Sequence, residues 1–104
     1  MNEAELETLV QAKGLIAPRL TPEYINSQIV ASQFCTFDDT TVTVCCLILK
    51  NGFAVIGESA CASPENFDED IGRRLAFDNA REKIWQLEGY SLRNEISTKE
   101  GATL

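Results

Sequence analysis

The pattern of apolar and polar positions divides the chain into a helical start, a short β-sheet and a long terminal helix. Residues 3–12 carry apolar side chains at helical spacing. Thr21-Pro22-Glu23 is typical of a helix start, with threonine as the N-cap and proline in the first turn. This second helix is expected to run to about Ile29. Residues 1–30 are therefore predicted to form a helical N-terminal segment of two short helices.

Three apolar segments rich in β-branched residues then predict an antiparallel meander over residues 31–62. Asp38-Asp39 and Asn51-Gly52 mark the turns between the strands, and Asn-Gly is typical of a two-residue type I′ hairpin loop. The strands are predicted at Val30–Phe37, Thr41–Leu49 and Phe53 to about Cys61.

A two-residue loop at Asn51-Gly52 fixes the expected register of the second hairpin. It pairs Lys50 with Phe53, Ile48 with Val55, Cys46 with Gly57, and Val42 with Cys61. One face then carries Val42, Val44, Cys46, Ile48, Phe53, Val55 and Cys61. The other carries Cys45, Leu47, Leu49, Ala54, Ile56 and Ala60. Because both faces are apolar, each needs a cover, and a partner chain is a candidate for one of them.

A long helix is predicted over residues 66–96, beginning near Phe67 or Asp68 and continuing to about Glu95. Gly89 is a place where it could bend. One face would hold Gly72, Ala76, Phe77, Ala80, Ile84, Leu87 and Tyr90, and the opposite face Ile71, Trp85, Gly89, Leu92 and Ile96. Small residues four apart on the first face would let a neighbouring backbone come close. Two apolar faces indicate burial on two sides, which favours a homo-oligomer.

Composition supports one folded domain, residues 1–104, of the α+β class: a three-stranded antiparallel meander with two short N-terminal helices and one long C-terminal helix. Sixteen acidic residues against nine basic ones give a net charge of −7. A nucleic-acid backbone is therefore an unlikely partner, because binding it requires a basic surface. No apolar segment is long enough to span a membrane, and no signal peptide is evident.

The chain contains no histidine, which excludes histidine-based catalysis and the commonest transition-metal ligand. The cysteines are Cys35, Cys45, Cys46 and Cys61, without a C-x-x-C pair. Cys45 and Cys46 should point to opposite faces of a strand, and Cys35 should lie opposite Val42, too far from Cys61 for a disulfide. Four small buried hydrophobes are expected, with no metal and no cofactor. The chain is not expected to be an enzyme.

Four motifs resemble a known family: Asn51-Gly52-Phe53, Gly57-Glu58-Ser59-Ala60-Cys61, Ser63-Pro64-Glu65-Asn66-Phe67, and Trp85-Gln86-Leu87-Glu88-Gly89-Tyr90. In these motifs the chain resembles the small tailed-phage accessory proteins of the gene 49/gene 66 type, over roughly residues 41–93. The resemblance implies a bacteriophage or prophage origin and action in the host bacterial cytoplasm. It implies no catalytic residues.

Seven residues are candidates for ligand binding: Arg73, Asn79, Lys83, Phe67, Trp85, Tyr90 and Glu58. The cationic and amide side chains suit the phosphate and base edges of an anionic ligand, and the aromatic ones suit base stacking. For each residue a structural role is the alternative: charged side chains at the edge of a packed stripe, aromatic residues in the core, and Glu58 paired with a helix arginine.

The leading functional hypothesis, by analogy with small phage proteins, is a homo-oligomeric sponge. It would counter host antiviral defence by sequestering a nucleotide-derived signalling molecule, as a cyclic nucleotide binding protein. The alternative starts from acidic residues crowded at positions 58–70, which predict a DNA-mimic inhibitor that binds a host protein. The structural alternative is that these acidic residues are solvated side chains at the start of the long helix.

Overall fold

The computed structural model describes residues 2–14 and 17–99, and it has the predicted α+β architecture. Along the chain the elements are α1 (Glu3–Ala12), α2 (Pro22–Gln28), β1 (Ile29–Thr36), β2 (Val42–Leu49), β3 (Ala54–Ala60), a short 3-10 turn (Pro64–Asn66) and α3 (Glu69–Lys99). The three strands form an antiparallel sheet in the order β1-β2-β3, so β2 is central. The meander predicted over 31–62 is present at 29–60, and the helix predicted over 66–96 at 69–99.

Local sequence explains where the helices begin. The Asn2 side chain accepts a hydrogen bond from the Glu5 N–H, and Thr21 accepts one from the Tyr24 N–H, each as an N-cap. Asp68 Oδ1 accepts from the Ile71 N–H at 3.0 Å and does the same for α3. This capping places the first turn of α3 one to two residues later than predicted.

The predicted register of the second hairpin is wrong by one residue. The observed pairs include Ile48 with Ala54, Cys46 with Ile56, and Val42 with Ala60. Lys50, Asn51 and Gly52 form a three-residue loop in which Gly52 alone takes a positive φ, of 88°. This is the geometry of a turn closed by a left-handed glycine, whereas a type I′ turn needs positive φ at two residues.

The shift of one residue reverses which side chains of β3 lie on each face of the sheet. Val55 and Gly57 join Cys45, Leu47 and Leu49 on the face that α3 covers, and Ile56 and Ala54 move to the other face. In the first hairpin Cys35 pairs with Val44 rather than Val42, because the turn at Asp38 and Asp39 extends over more residues. Glu58 lies opposite Val44, whereas the predicted register would have placed it opposite Cys45.

The core lies between α3 and the sheet. Its buried hydrophobic residues are Ile25, Cys45, Leu47, Leu49, Val55, Ala76, Ala80 and Ile84. The closest approach is at Gly57, where a Cβ atom would stand 2.7 Å from the Ala80 Cα and closer still to the Ala80 N and the Ala76 O. The prediction that the small residues of α3 admit a neighbouring backbone is confirmed, and that backbone belongs to β3.

The first predicted face of α3 is buried at Gly72, Ala76, Ala80 and Ile84, whereas Phe77 is half-buried and Leu87 and Tyr90 are exposed. On the second face Leu20 packs near Gly89, whereas Ile71 is exposed. The helix is continuous through Gly89. At 31 residues it is about 46 Å long at 1.5 Å per residue, which fits the 54 Å length of the molecule.

The outer face of the sheet, opposite α3, is covered by no element among the described residues. Val42, Val44, Cys46 and Ile48 on β2 remain half-buried there, and Ile56 on β3 is exposed. Strand β1 is exposed along seven of its eight residues. The prediction of four buried cysteines is therefore wrong for Cys35, which is exposed on β1, and Cys46 and Cys61 are only half-buried.

Candidate functional site

Because α3 lies over β3 and β2, it presents a different flank toward each edge of the sheet. On the side of β1 the side chains of Phe34, Arg73, Arg74 and Phe77, with Asp78, line an open depression of about 460 Å³. We call these residues the arginine flank. Phe34 shares the helix-covered face of the sheet with its partner Cys45, and Phe77 packs at the border of the core. Two phenyl rings and two guanidinium groups thus meet at one surface.

The two arginines of this flank differ in their partners. Arg73 forms ion pairs with Asp70 and, at 3.7 Å, with Glu69, both one turn earlier on the helix. Exposed pairs of this kind contribute only about 0.3–0.5 kcal/mol, so an anionic ligand can replace them. Arg74 is exposed and takes part in none of the ion pairs formed by the described residues. Both guanidinium groups are therefore available to a phosphate, which they can bind through paired N–H donors.

On the side of β3 a second groove, of about 560 Å³, is lined by Phe53, Ile56, Lys83, Leu87 and Tyr90, among others. We call it the lysine flank. Tyr90 is 73% exposed, and Lys83 is the one cationic side chain in the lining. The groove is mostly apolar, and its single ammonium group offers less to a phosphate than the paired guanidinium groups across the helix.

Asn79 and Glu58 lie next to the lysine flank and contact each other. The Asn79 Nδ2 donates to the backbone carbonyl of Glu58 at 2.7 Å, which ties the helix to the free edge of β3. The Glu58 side chain is exposed and forms no ion pair with an arginine among the described residues, contrary to the structural alternative predicted for it. Asn79 has the structural role.

Phe67 and Trp85 lie away from both flanks. Phe67 is half-buried at the N-terminal end of α3, where it lines a small cavity of about 140 Å³ with Gly72. Trp85 packs against the core, and the Arg81 guanidinium lies 5.9 Å from its ring centroid. The seven candidate residues therefore fall into separate places: Arg73 on one flank, four residues along the other, and two elsewhere.

Arg81 is a structural residue that the sequence analysis did not single out. Its guanidinium contacts Glu3 of α1, donates to Asn26 of α2 at 2.9 Å, and covers Trp85. The side chain is only 13% exposed. It joins both N-terminal helices to α3. No sequence signal separates it from its neighbours, because its partners lie 55 and 78 residues away.

Three of the five acidic residues between positions 58 and 70 have partners within the chain. Asp68 caps α3, and Glu69 and Asp70 pair with Arg73. Their negative charge also lies at the helix N-terminus, where it is favourable. These contacts support the structural explanation of the cluster, and they leave Glu58 and Glu65 as its exposed acids outside the helix start.

Comparisons with known proteins give one result. A family model described as "Phage protein (N4 Gp49/phage Sf6 gene 66) family" matches residues 20–96. The match therefore begins before α2 and ends near the close of α3, and it includes both flanks. Neither the curated proteins nor the solved structures give a match. Among the residues that the structure describes, no helix combines the length and the apolar stretch needed to cross a bilayer.

Proposed function

The chain belongs to the phage protein (N4 Gp49/phage Sf6 gene 66) family, and we propose that it is a binding protein without catalytic activity that counters host antiviral defence. In this proposal it acts in the host cytoplasm as an oligomeric sponge. It sequesters a nucleotide-derived signalling molecule, so that the signal no longer reaches its host receptor.

The observation that carries the proposal is the arginine flank. Arg73 and Arg74 provide N–H donors for phosphate groups, and Phe34 and Phe77 provide apolar surface for a base or a ribose. Asp78, which also lines the depression, can accept hydrogen bonds from a ribose hydroxyl or a base amino group. Phosphate, sugar and base are the three parts of a nucleotide, and each has a complementary group here.

The depression is open in a single copy of the chain, so one copy covers only one side of a nucleotide. A second copy that faces the same surface would supply the other side, and a pocket buries most of a tightly held ligand. The proposal therefore includes a homo-oligomer whose ligand lies where copies meet.

Isothermal titration calorimetry with cyclic dinucleotides, cyclic trinucleotides and cyclic ADP-ribose variants tests the proposal. We expect heat of binding with at least one class. Arg73→Ala and Arg74→Ala should each weaken binding by about tenfold or more, because each removes a charged hydrogen bond of about 1.5–3 kcal/mol. Lys83→Ala is the matched control: it removes a cation from the opposite flank and should leave the affinity unchanged.

Two results would overturn this assignment. One is the absence of heat with every nucleotide class, together with capture of one host protein, which would favour the acidic inhibitor. Strong weakening of that complex by salt would agree with charge mimicry. The other is a Lys83→Ala variant that loses nucleotide binding while both arginine variants keep it, which would move the site to the lysine flank.

A further inference from the structure

The outer edge of β1 is an unprotected strand edge. The 14 residues from Tyr24 to Phe37 include no charged side chain, and seven of the eight residues of β1 are exposed. Val30 is 59% and Phe34 40% exposed. Soluble proteins usually protect such an edge with charges, a proline, or a covering element, because its free N–H and C=O groups can pair with another strand. Beyond a bulge at Val30, β1 contains no charge and no proline, and no element within residues 2–14 and 17–99 covers its edge.

The backbone groups that point outward from β1 follow from two hydrogen bonds of β2. The Leu49 N–H donates to the Phe53 carbonyl, toward β3, and the Lys50 N–H donates to the Gln28 carbonyl, on the side of β1. Even-numbered residues of β2 therefore bond β1, and their partners are Ala31, Gln33 and Cys35. By the same alternation, Ser32, Phe34 and Thr36 direct their N–H and C=O groups to the open edge.

We propose that β1 pairs with β1 of a second copy, antiparallel, to form one continuous six-stranded sheet. An antiparallel pair of identical strands is related by a two-fold axis, so each outward donor meets the matching acceptor of the same segment. We take the register centred on Gln33, because it gives every even-numbered residue of β1, including Val30 at the bulge, a partner within the other strand. It places Ser32 opposite Phe34 of the other copy and Val30 opposite its Thr36.

Charge identifies a second copy as the occupant. Each chain carries a net charge of −7, and two such molecules repel each other over most of their surface. They meet with least repulsion where neither carries charge, which is along β1. A basic partner would find no acidic residue on this strand to pair with. The other sheet edge, β3, carries Glu58, and its carbonyl there already accepts from Asn79, so it is the poorer candidate.

The pairing also completes the arginine flank, and this part of the inference rests on the proposed function. A two-fold axis perpendicular to the sheet places both α3 helices on the same face. Because α3 lies over β3 and β2, the two helices are separated by four to five strand spacings, about 19–24 Å, which leaves a trough about 7–14 Å wide between helices of this diameter. Phe34 of each copy forms the floor of that trough, and Arg73, Arg74 and Phe77 form its walls.

Sedimentation velocity of the full chain at micromolar concentrations tests the pairing. We expect the wild-type chain to be a dimer or a higher even-numbered oligomer. Ser32→Pro should raise the dissociation constant at least about tenfold, because it removes an outward N–H that takes no part in the β1–β2 ladder, and proline is tolerated at a strand edge. Ile56→Pro is the matched control, since it removes an outward N–H from β3 and should leave association intact. Circular dichroism verifies that both variants fold.

Disulfide trapping provides a second measurement that does not depend on a proline. In a Cys35→Ser, Cys46→Ser background, which removes the thiol opposite position 33 within the chain, Gln33→Cys should form a covalent dimer on mild oxidation, since Gln33 faces its own copy across the axis. Ala54→Cys on β3, in the same background, should remain uncrosslinked.

A wild-type chain that is monomeric at these concentrations would overturn the pairing. So would a dimer that Ser32→Pro preserves and Ile56→Pro dissociates. The two proposals fail in distinguishable ways: a β1-paired dimer without nucleotide binding would overturn only the sponge. Nucleotide binding by a monomer would overturn the pairing and the oligomeric part of the sponge, but not nucleotide sequestration itself.

Discussion

Thr43 shows how closely single residues are packed beneath α3. The side chain is completely buried on β2, and its hydroxyl has no hydrogen-bond partner in the described part of the chain. A Cβ added at Gly72 would lie 2.9 Å from that hydroxyl oxygen, so the helix backbone passes directly above it. A buried hydroxyl without a partner keeps the cost of losing water and gains no compensating bond.

We therefore expect Thr43→Val to stabilise the protein. Valine has nearly the same shape and avoids a desolvation penalty of about 1–3 kcal/mol, so the free energy of unfolding should rise by about 1 kcal/mol. Urea denaturation followed by circular dichroism measures it. Thr41→Val is the control, because the Thr41 hydroxyl donates to the Cys61 carbonyl at 2.5 Å, and its loss should destabilise by about 0.5–1.5 kcal/mol. A loss of stability in Thr43→Val would contradict the assignment.

The cysteines show the limit of reading burial from residue type. Burial raises the pKa of the Cys45 thiol, with a smaller effect of Cys46, and this residue behaves as the small core hydrophobe that the sequence predicts. Cys35 has the same chemistry but lies on the uncovered strand. Which strands the helix covers depends on contacts far apart in the chain, and residue type does not carry that information.

At the scale of elements, the contact between β3 and α3 depends on a glycine that has no space for a side chain. Gly57 lies against the backbone of Ala76 and Ala80, and backbone atoms of a helix cannot move aside as a flexible side chain can. The sequence predicted the helix side of this contact from the spacing of small residues. It did not predict the strand side, because the shifted register put Gly57 opposite Cys46 rather than Cys45.

We expect Gly57→Ala to destabilise the protein by more than about 3 kcal/mol, at the upper end of overpacking effects, because the added methyl group overlaps helix backbone. Thermal and urea unfolding measure the change. Gly52→Ala is the control: a Cβ there would meet no atom within 4 Å, so only its positive φ resists alanine, at about 1 kcal/mol. Equal effects of the two substitutions would contradict a contact-based cost.

The hairpin register explains why some of the fold followed from the sequence and some did not. Strand positions and the place of the turn followed from β-branched segments and Asn51-Gly52, which are local signals. The exact loop did not, because Asn-Gly serves both a two-residue and a three-residue loop. On β2 both faces are apolar, so alternation could not show which set of residues faces the helix. The residues that surround Arg73 on the arginine flank were not predicted either, since Phe34 belongs to β1, whose predicted pairing with β2 was wrong by two residues.

For the whole molecule, α1 is held mainly by charged contacts rather than by a core. None of its residues is buried, and it is joined to the rest by Glu3 with Arg81 and Glu7 with Arg19. The hydrogen bond from Arg19 lowers the pKa of the Glu7 carboxyl below its ordinary value of 4.5. A carboxyl whose pKa is lower in the folded state stabilises above its ordinary pKa and loses that contribution as pH falls through the folded value.

We therefore expect α1 to loosen on acidification below pH 4.5, while the sheet and α3 remain protected. NMR titration should find the pKa of Glu7 below that value, and hydrogen exchange should show faster exchange in α1. Arg19→Gln should raise the pKa of Glu7, because it removes the hydrogen bond and the charge that lower it, and should accelerate exchange at neutral pH. A Glu7 that titrates at its ordinary value in the wild-type chain would contradict this tether.

The absence of a side chain at Gly57 has a consequence for association between chains as well as for packing within one chain. Because Gly57 allows α3 to pack directly on the backbone of β3, the helix lies toward one side of the sheet. The strand farthest from it, β1, is left exposed. A hydrogen atom in place of a Cβ at position 57 thus stabilises the single chain, and the resulting off-centre position of the helix leaves a strand edge that another strand can pair with.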